Sequence, residues 1–164
     1  MTTVACSLTE MAADSRVSAD GSVARGAMVA SKIRVIRDSV FGFSGNISEA
    51  LIAIAWFEGG RSKFERPSFT SEADFSILEL SPSGILLWDP YMSPIHMKDE
   101  SCAIGTGGPI AQYCMAVLEM SPYQAVIEAA KVDANTGPPF EVLSLPTHSR
   151  SRRHDRSTRS KARS

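Results

Sequence analysis

The hydrophobic period of this chain changes partway along one apolar stretch, and that change limits the fold more than any other feature. Across Lys32–Arg37, Ile33 and Val35 alternate with Arg34, the two-residue period of a half-buried strand. Asp38-Ser39 turns the segment back into a second strand, Val40–Ser44. Asn46-Ile-Ser-Glu49 then reads as a helix N-cap with an acid three residues on. The apolar residues beyond it continue through Trp56-Phe57 until Gly59-Gly60 ends the helix.

On either side of this switch the pattern stays ordered. Thr2–Leu8 and Met11–Val17 read as short strands turning at Ser7–Glu10, and Asp20-Gly21 is a further turn signal. Arg61–Ala73 is polar, interrupted by Pro67, and reads as loop. Phe75–Leu80 and Ile85–Trp88 flank Ser81-Pro-Ser-Gly84, a hairpin signature, and Ser101–Ile104 runs as a strand into Gly105-Thr-Gly-Gly-Pro109. One helix is predicted from Pro109 or Ile110 to about Glu119. A second starts from the Ser121-Pro-Tyr-Gln124 cap and runs to about Ala134, before the break at Gly137-Pro138-Pro139. Phe140–Leu145 is the closing strand. Strands, one helix, more strands, two helices and a last strand make a layered α+β pattern, not repeated βαβ units.

With 164 residues, one domain with a sizeable core is expected. No apolar run reaches the roughly 18–20 residues of a membrane span, and the N-terminus lacks the basic-then-apolar layout of a secretory signal. Cys6, Cys102 and Cys114 have no metal-ligand spacing, so they read as free thiols of a reducing compartment, and a cytoplasmic location is expected. The net charge of −1 hides two unlike parts. Residues 148–164 carry seven Lys or Arg against Asp155, a net of about +6, which leaves about −7 on the residues before them. Residues 1–147 are read as one folded domain and 148–164 as a disordered basic tail, since that segment has no Leu, Ile, Val or aromatic residue. Its segment 149–164 could meet nucleic acid or an acidic partner surface, or serve only solubility.

Thr2 follows Met1 directly, and a small second residue favours removal of the initiator. A liberated threonine carries hydroxyl and amine on adjacent atoms, nucleophile and base in one residue. Taken alone this is a common cytosolic N-terminus. Cys6 lies in an apolar strand with no histidine nearby and reads as a core thiol. Gly105–Gly108 has neither GK[ST] nor GxGxxG and reads as a strand-to-helix turn. Asp89 reads as a turn residue at a strand end, and His96, His148 and His154 have no metal-ligand spacing. No metal and no cofactor are expected.

In order, Thr2-Thr3, Ala12-Ala13-Asp14-Ser15-Arg16, Lys32-Ile33, Phe41-Gly42-Phe43-Ser44-Gly45, Ser81-Pro-Ser-Gly84, Ala103-Ile-Gly-Thr-Gly-Gly-Pro-Ile-Ala111 and Asp133-Ala-Asn-Thr136-Gly137 cover nearly all of residues 2–145. Together they resemble the proteasome β-subunit family, in the style of the HslV peptidases. The resemblance implies a four-layer αββα sandwich of the N-terminal-nucleophile (Ntn) hydrolase class. It implies Thr2 as nucleophile with its own amine as base, Asp14 and Lys32 as the acidic and basic pair beside it, and the Gly45 N–H as oxyanion donor. It further implies Thr106, Asp133 and Thr136 near the nucleophile, with Thr106 standing where the family usually has serine. By the same resemblance the substrate is a peptide or unfolded protein, the chain a homo-oligomer, an unfoldase a candidate partner, and the Asp133–Gly137 loop a candidate place for a structural cation.

The chain also departs from that family. The segment between the first helix and Phe75 is short and holds Pro67 where relatives carry a second long helix, which bears on ring assembly. Phe43, two residues before Gly45, is expected near the substrate pocket. Two other readings stand beside the peptidase. One is a non-catalytic structural or assembly subunit, as of a virion or cage, that keeps the fold and uses its tail for contact. The other is an Ntn amidase acting on a small molecule.

Overall fold

A computed structural model describes residues 2–19, 22–23 and 30–146, with side chains omitted at 18, 19, 22 and 23. Met1, the Asp20-Gly21 turn and the basic tail therefore lie outside the described residues. The elements in chain order are β1 (Thr3–Ser7), β2 (Glu10–Asp14), β3 (Ser18–Ala19), β4 (Ser22–Val23), β5 (Ile33–Ile36), β6 (Ser39–Gly45), α1 (Ile47–Glu58), β7 (Phe75–Ser81), β8 (Gly84–Trp88), β9 (Pro94–His96), β10 (Ser101–Gly105), α2 (Gly108–Leu118), α3 (Pro122–Ala130) and β11 (Phe140–Ser144).

These strands form two antiparallel sheets, ordered β10-β1-β2-β11 and β5-β6-β7-β8-β9, and a small β3–β4 ribbon. Val4, Cys6, Met11 and Ala13 from the first sheet meet Ile33, Val40, Leu78, Leu80 and Ile85 from the second. Ala5 and Ala12, on the opposite face of the first sheet, pack under Ala111, Cys114, Met115, Ala125, Val126 and Ala129 of α2 and α3. Phe41, Phe43, Phe75 and Ile77, on the outer face of the second sheet, pack under Ala50, Ala53, Ile54 and Phe57 of α1. The result is the expected four-layer αββα sandwich. Each strand's two-residue alternation divides its side chains between the central layer and a helix layer.

The α1 residues Ala50, Ala53, Ile54 and Phe57 recur at helical spacing and are all buried. Asn46 caps the helix by accepting from Ser48 and Glu49 N–H at 3.0 and 3.3 Å. The reciprocal half of the box is not formed, because the Glu49 carboxylate reaches Asp74 N–H at 3.1 Å and Asn46 N–H goes to the Asp74 carbonyl. Ser121 and Gln124, in contrast, make the complete box at the start of α3. Residues 59–74 hold no helix, so α1 is the one helix on the outer face of the second sheet, where Phe69 and Ala73 of that loop also pack.

Several details differ from the sequence expectations: the strand read over Met11–Val17 stops at Asp14, and Val35 is exposed where Ile33 is buried. β9 is an added edge strand, with all three residues exposed and a proline first, so it carries no alternation to read. α3 ends at Ala130, four residues early, because the Asp133 side chain takes Asn135 N–H at 3.2 Å in a local turn that competes with the helix. α2 begins at Gly108 directly after the turn of Thr106 and Gly107 that follows β10. Gly105 sits at φ +91°, and a Cβ there would fall 1.7 Å from the Thr2 carbonyl oxygen. Asp89 is the turn residue expected, accepting from Tyr91 N–H at 3.0 Å.

Candidate active site

Thr2, Asp14 and Lys32 arrive from three places, the residue before β1, the end of β2 and the residue before β5, and each is at least 97% buried. The Thr2 hydroxyl donates to Asp14 Oδ1 and accepts from Lys32 Nζ. Lys32 Nζ lies 3.1 Å from Asp14 Oδ1 and also donates to the Arg16 carbonyl, so all three of its N–H bonds have acceptors. Burial lowers the Lys32 pKa from its ordinary value, and the charge and hydrogen bond of Asp14 push it part of the way back. Asp14 Oδ1 further accepts Thr3 N–H at 2.8 Å, while Oδ2 takes Arg16 and Gly137 N–H, both at 3.1 Å. A carboxylate met by so many donors is held in one orientation.

The second cluster forms where β10 turns into α2 and where α3 gives way to β11. Thr106 Oγ1 and Thr136 Oγ1 each donate to Asp133 Oδ2 at 2.6 Å. Partial burial would raise the Asp133 pKa, but these bonds and those from Asn135 outweigh it and hold the carboxyl below its ordinary value. Thr106 N–H donates to the Thr2 carbonyl at 3.0 Å, which joins this cluster to the first.

Gly45 completes the set. Phe43 N–H points to β5, bonding the Lys32 carbonyl at 3.1 Å, so the strand's alternation directs Ser44 N–H toward β7 and Gly45 N–H away from it. Gly45 has φ +91°, and a Cβ would stand 2.3 Å from the Asp74 carbonyl oxygen. Cavities of about 390 and 270 Å³ flank Thr2, with Ser44 and Gly45 bordering both. Arg16, Lys32, Phe43 and Ile47 line the first; Asp74, Phe75, Gly105 and Thr106 line the second. A hydroxyl between a cation and a carboxylate, with open space on two sides and a backbone N–H at the rim, can attack a bound carbonyl and hold the resulting oxyanion.

All seven candidate residues from the sequence, Thr2, Asp14, Lys32, Gly45, Thr106, Asp133 and Thr136, thus come together. Phe43 lines a cavity as expected. Cys6 does not join them; it is buried between the sheets, where burial and neighbouring Cys102 push its thiol pKa far up. The sequence reading missed Thr3, whose hydroxyl contacts Thr136 Oγ1 at 2.6 Å, and the backbone groups of Arg16 and Gly137. Backbone donors have no residue-type signature. Thr3 did, as a second hydroxyl beside Thr2 on the opposite face of the strand. Among the described residues no cluster of three or more metal-ligating side chains occurs, and no helix is long and apolar enough to cross a membrane.

No protein-family model matches the sequence, and no curated protein matches it. Solved structures do match. Eukaryotic HslV from Trypanosoma brucei superposes with a TM-score of 0.67 at 21% identity, over 89% of this chain and 100% of that one. Thiobacillus denitrificans BPH superposes with a TM-score of 0.61 at 19% identity, over 88% of this chain and 98% of that one. The same BPH in complex with epoxomicin gives 0.58 at 16%, over 89% and 99%. The chain therefore has the αββα fold of HslV and BPH over nearly its whole length.

Proposed function

We propose that this chain is a threonine-type Ntn hydrolase that cleaves peptide bonds through Thr2 once Met1 is removed. The observation that carries this reading is the Thr2 hydroxyl held between Lys32 and Asp14 where two cavities meet. While Met1 is attached, the Thr2 nitrogen is an amide and cannot act as base. Its removal supplies an amine with pKa near 8, deprotonated in useful amount at neutral pH. That amine takes the hydroxyl proton as Oγ1 attacks the scissile carbonyl, with the Lys32 charge favouring the developing alkoxide. Gly45 N–H holds the oxyanion. The protonated amine then passes its proton to the departing amine, leaving an ester on Thr2, and reversing these roles delivers water to that ester. Asp14 orients Lys32, and Asp133 with Thr106 and Thr136 fixes the backbone around Thr2.

The HslV-like fold supports the peptidase over an amidase for small molecules, and a peptide or unfolded protein is the substrate class we assign. Self-association and an unfoldase partner belong to the same reading. Exposed Leu51 and Ile52 on α1 and Tyr113, Val117 and Leu118 on α2 support self-association.

Intact mass and a peptidase assay test the reading together. We expect a chain lighter by one methionine that hydrolyses peptide substrates, and loss of turnover in Thr2→Ala. A chain that keeps Met1 and shows no turnover, or a Thr2→Ala variant as active as its parent, would favour the structural-subunit reading instead.

A further inference from the structure

We infer that Thr3 is a positioning residue whose hydroxyl fixes the orientation of the nucleophile; this rests on Thr2 being that nucleophile. Strand alternation separates the two threonines. Thr2 shares the row of Val4 and Cys6 between the sheets, and Thr3 shares the row of Ala5 beneath α2 and α3.

The direction of the hydrogen bonds around Thr3 follows from counting protons. A hydroxyl has one proton to donate and two lone pairs to accept with. Thr136 directs its proton to Asp133 Oδ2, as does Thr106. The 2.6 Å contact between Thr3 Oγ1 and Thr136 Oγ1 must then be donated by Thr3. The chain runs Thr3 to Thr136 to Asp133, and each donor polarises the next. It closes on itself, because Thr106, the other donor to Asp133, gives its N–H to the Thr2 carbonyl, and Thr2 is bonded to Thr3.

The peptide joining Thr2 to Thr3 is consequently held at three points. Its N–H goes to Asp14 Oδ1 at 2.8 Å, its carbonyl takes Thr106 N–H at 3.0 Å, and the side chain just beyond it is tied to Thr136. The first two holds are backbone groups that any residue at position 3 other than proline would supply. The third needs a hydroxyl. Thr3 is fully buried, and a Cβ on Gly107 would fall 2.2 Å from its Oγ1, so no other group replaces that bond without movement. Rotation of this peptide swings both the amine and Oγ1 of Thr2 relative to Lys32 and Gly45, and small misplacements of reacting atoms carry large rate effects.

The test uses the full chain with Met1 removed. Thr3→Val keeps the shape and deletes the donor; Thr3→Ser keeps the donor and deletes a methyl. We expect Thr3→Val to lower kcat about 10- to 100-fold with KM held within about threefold, and Thr3→Ser to restore most of the parent rate. If the valine variant does not fold, Thr3→Ala against Thr3→Ser reads the same hydroxyl at matched size. An active parent whose Val or Ala variant keeps its kcat, or whose Ser variant falls as far as they do, overturns this inference alone. A parent without turnover overturns the Thr2 reading and this one with it.

Discussion

Two carboxylates are buried among the described residues, Asp14 and Glu79, and each is paired with a cation, yet the two pairs are built to opposite ends. Asp14 meets a lysine that is itself 98% buried, and a hydroxyl lies between them at the junction of two cavities. Glu79 meets Arg61, whose side chain is 38% exposed and lies across the rings of Phe41, Phe57 and Trp88, with centroids 5.8, 5.1 and 5.3 Å away. Glu79 takes the Trp88 indole N–H at 2.9 Å on its other oxygen. Lysine is a compact charge whose pKa responds to burial; arginine keeps its proton in proteins and spreads its charge over a plane that stacks on rings. A buried ion pair is therefore no mark of a site in itself. The first pair encloses an exchangeable hydroxyl proton beside open space. The second is a lid on the aromatic cluster under α1, on the face that no second helix covers.

The widest break in this comparison comes from Lys32→Met. It should lower kcat by about 10²–10³-fold, the range lost when a group that stabilises developing negative charge is removed. It should also destabilise the fold by about 3 kcal/mol, the low end for stranding a buried charge, because four other donors still hold Asp14. Steady-state kinetics beside chemical denaturation measure both. Unchanged kcat would put the two ion pairs in one class.

Arg61→Ala should do the reverse. Glu79 would keep a single donor, the Trp88 indole, so the loss of stability should approach about 5 kcal/mol while kcat per folded molecule stays within about twofold. Arg61→Lys divides that loss. It restores a charge for Glu79 but not the plane over three rings, and should cost only about 1 kcal/mol. If lysine proved as damaging as alanine, the stacking and not the charge would be what holds this lid.

The two pairs also differed in how far they were legible. Asp14, Lys32 and Gly45 stand in ordered motifs, and the layered arrangement followed from where the hydrophobic period changed. Glu79 interrupts the helix-facing row of β7, after Phe75 and Ile77, which was a visible irregularity. Its partner was not visible. Arg61 comes from a polar loop 18 residues earlier, and only the positive φ of Gly60 and Arg61 itself, +91° and +62°, turns it back over the sheet. Likewise Asn46 and Glu49 spelled a capping box of which half is formed, because Asp74, 25 residues on, offers Glu49 another donor. Local spacing reports which face a residue occupies; it does not report a partner from a distant loop.

The smallest effect sharpens the contrast through pH. Burial lowers the Lys32 pKa, so between that lowered value and the ordinary lysine value near 10.4 the unfolded chain binds more protons than the folded one. Stability gained from this group must then rise with pH through that window, by at most about 1.4 kcal/mol per pH unit for one proton. Cys6 and Cys102 act against it, since burial raises their pKa values and the folded chain holds their protons longer as pH climbs. The parent curve alone thus mixes opposing slopes. The difference between parent and Lys32→Met isolates the lysine, and we expect the parent to gain on the variant as pH rises from neutral toward 10. Arg61→Lys supplies the control: any slope that this replacement introduces belongs to the new ammonium. A parent that lost ground to Lys32→Met over the same range would mean that the Asp14 charge outweighs burial at Lys32, and the pairs of the two buried carboxylates would then differ only in their surroundings.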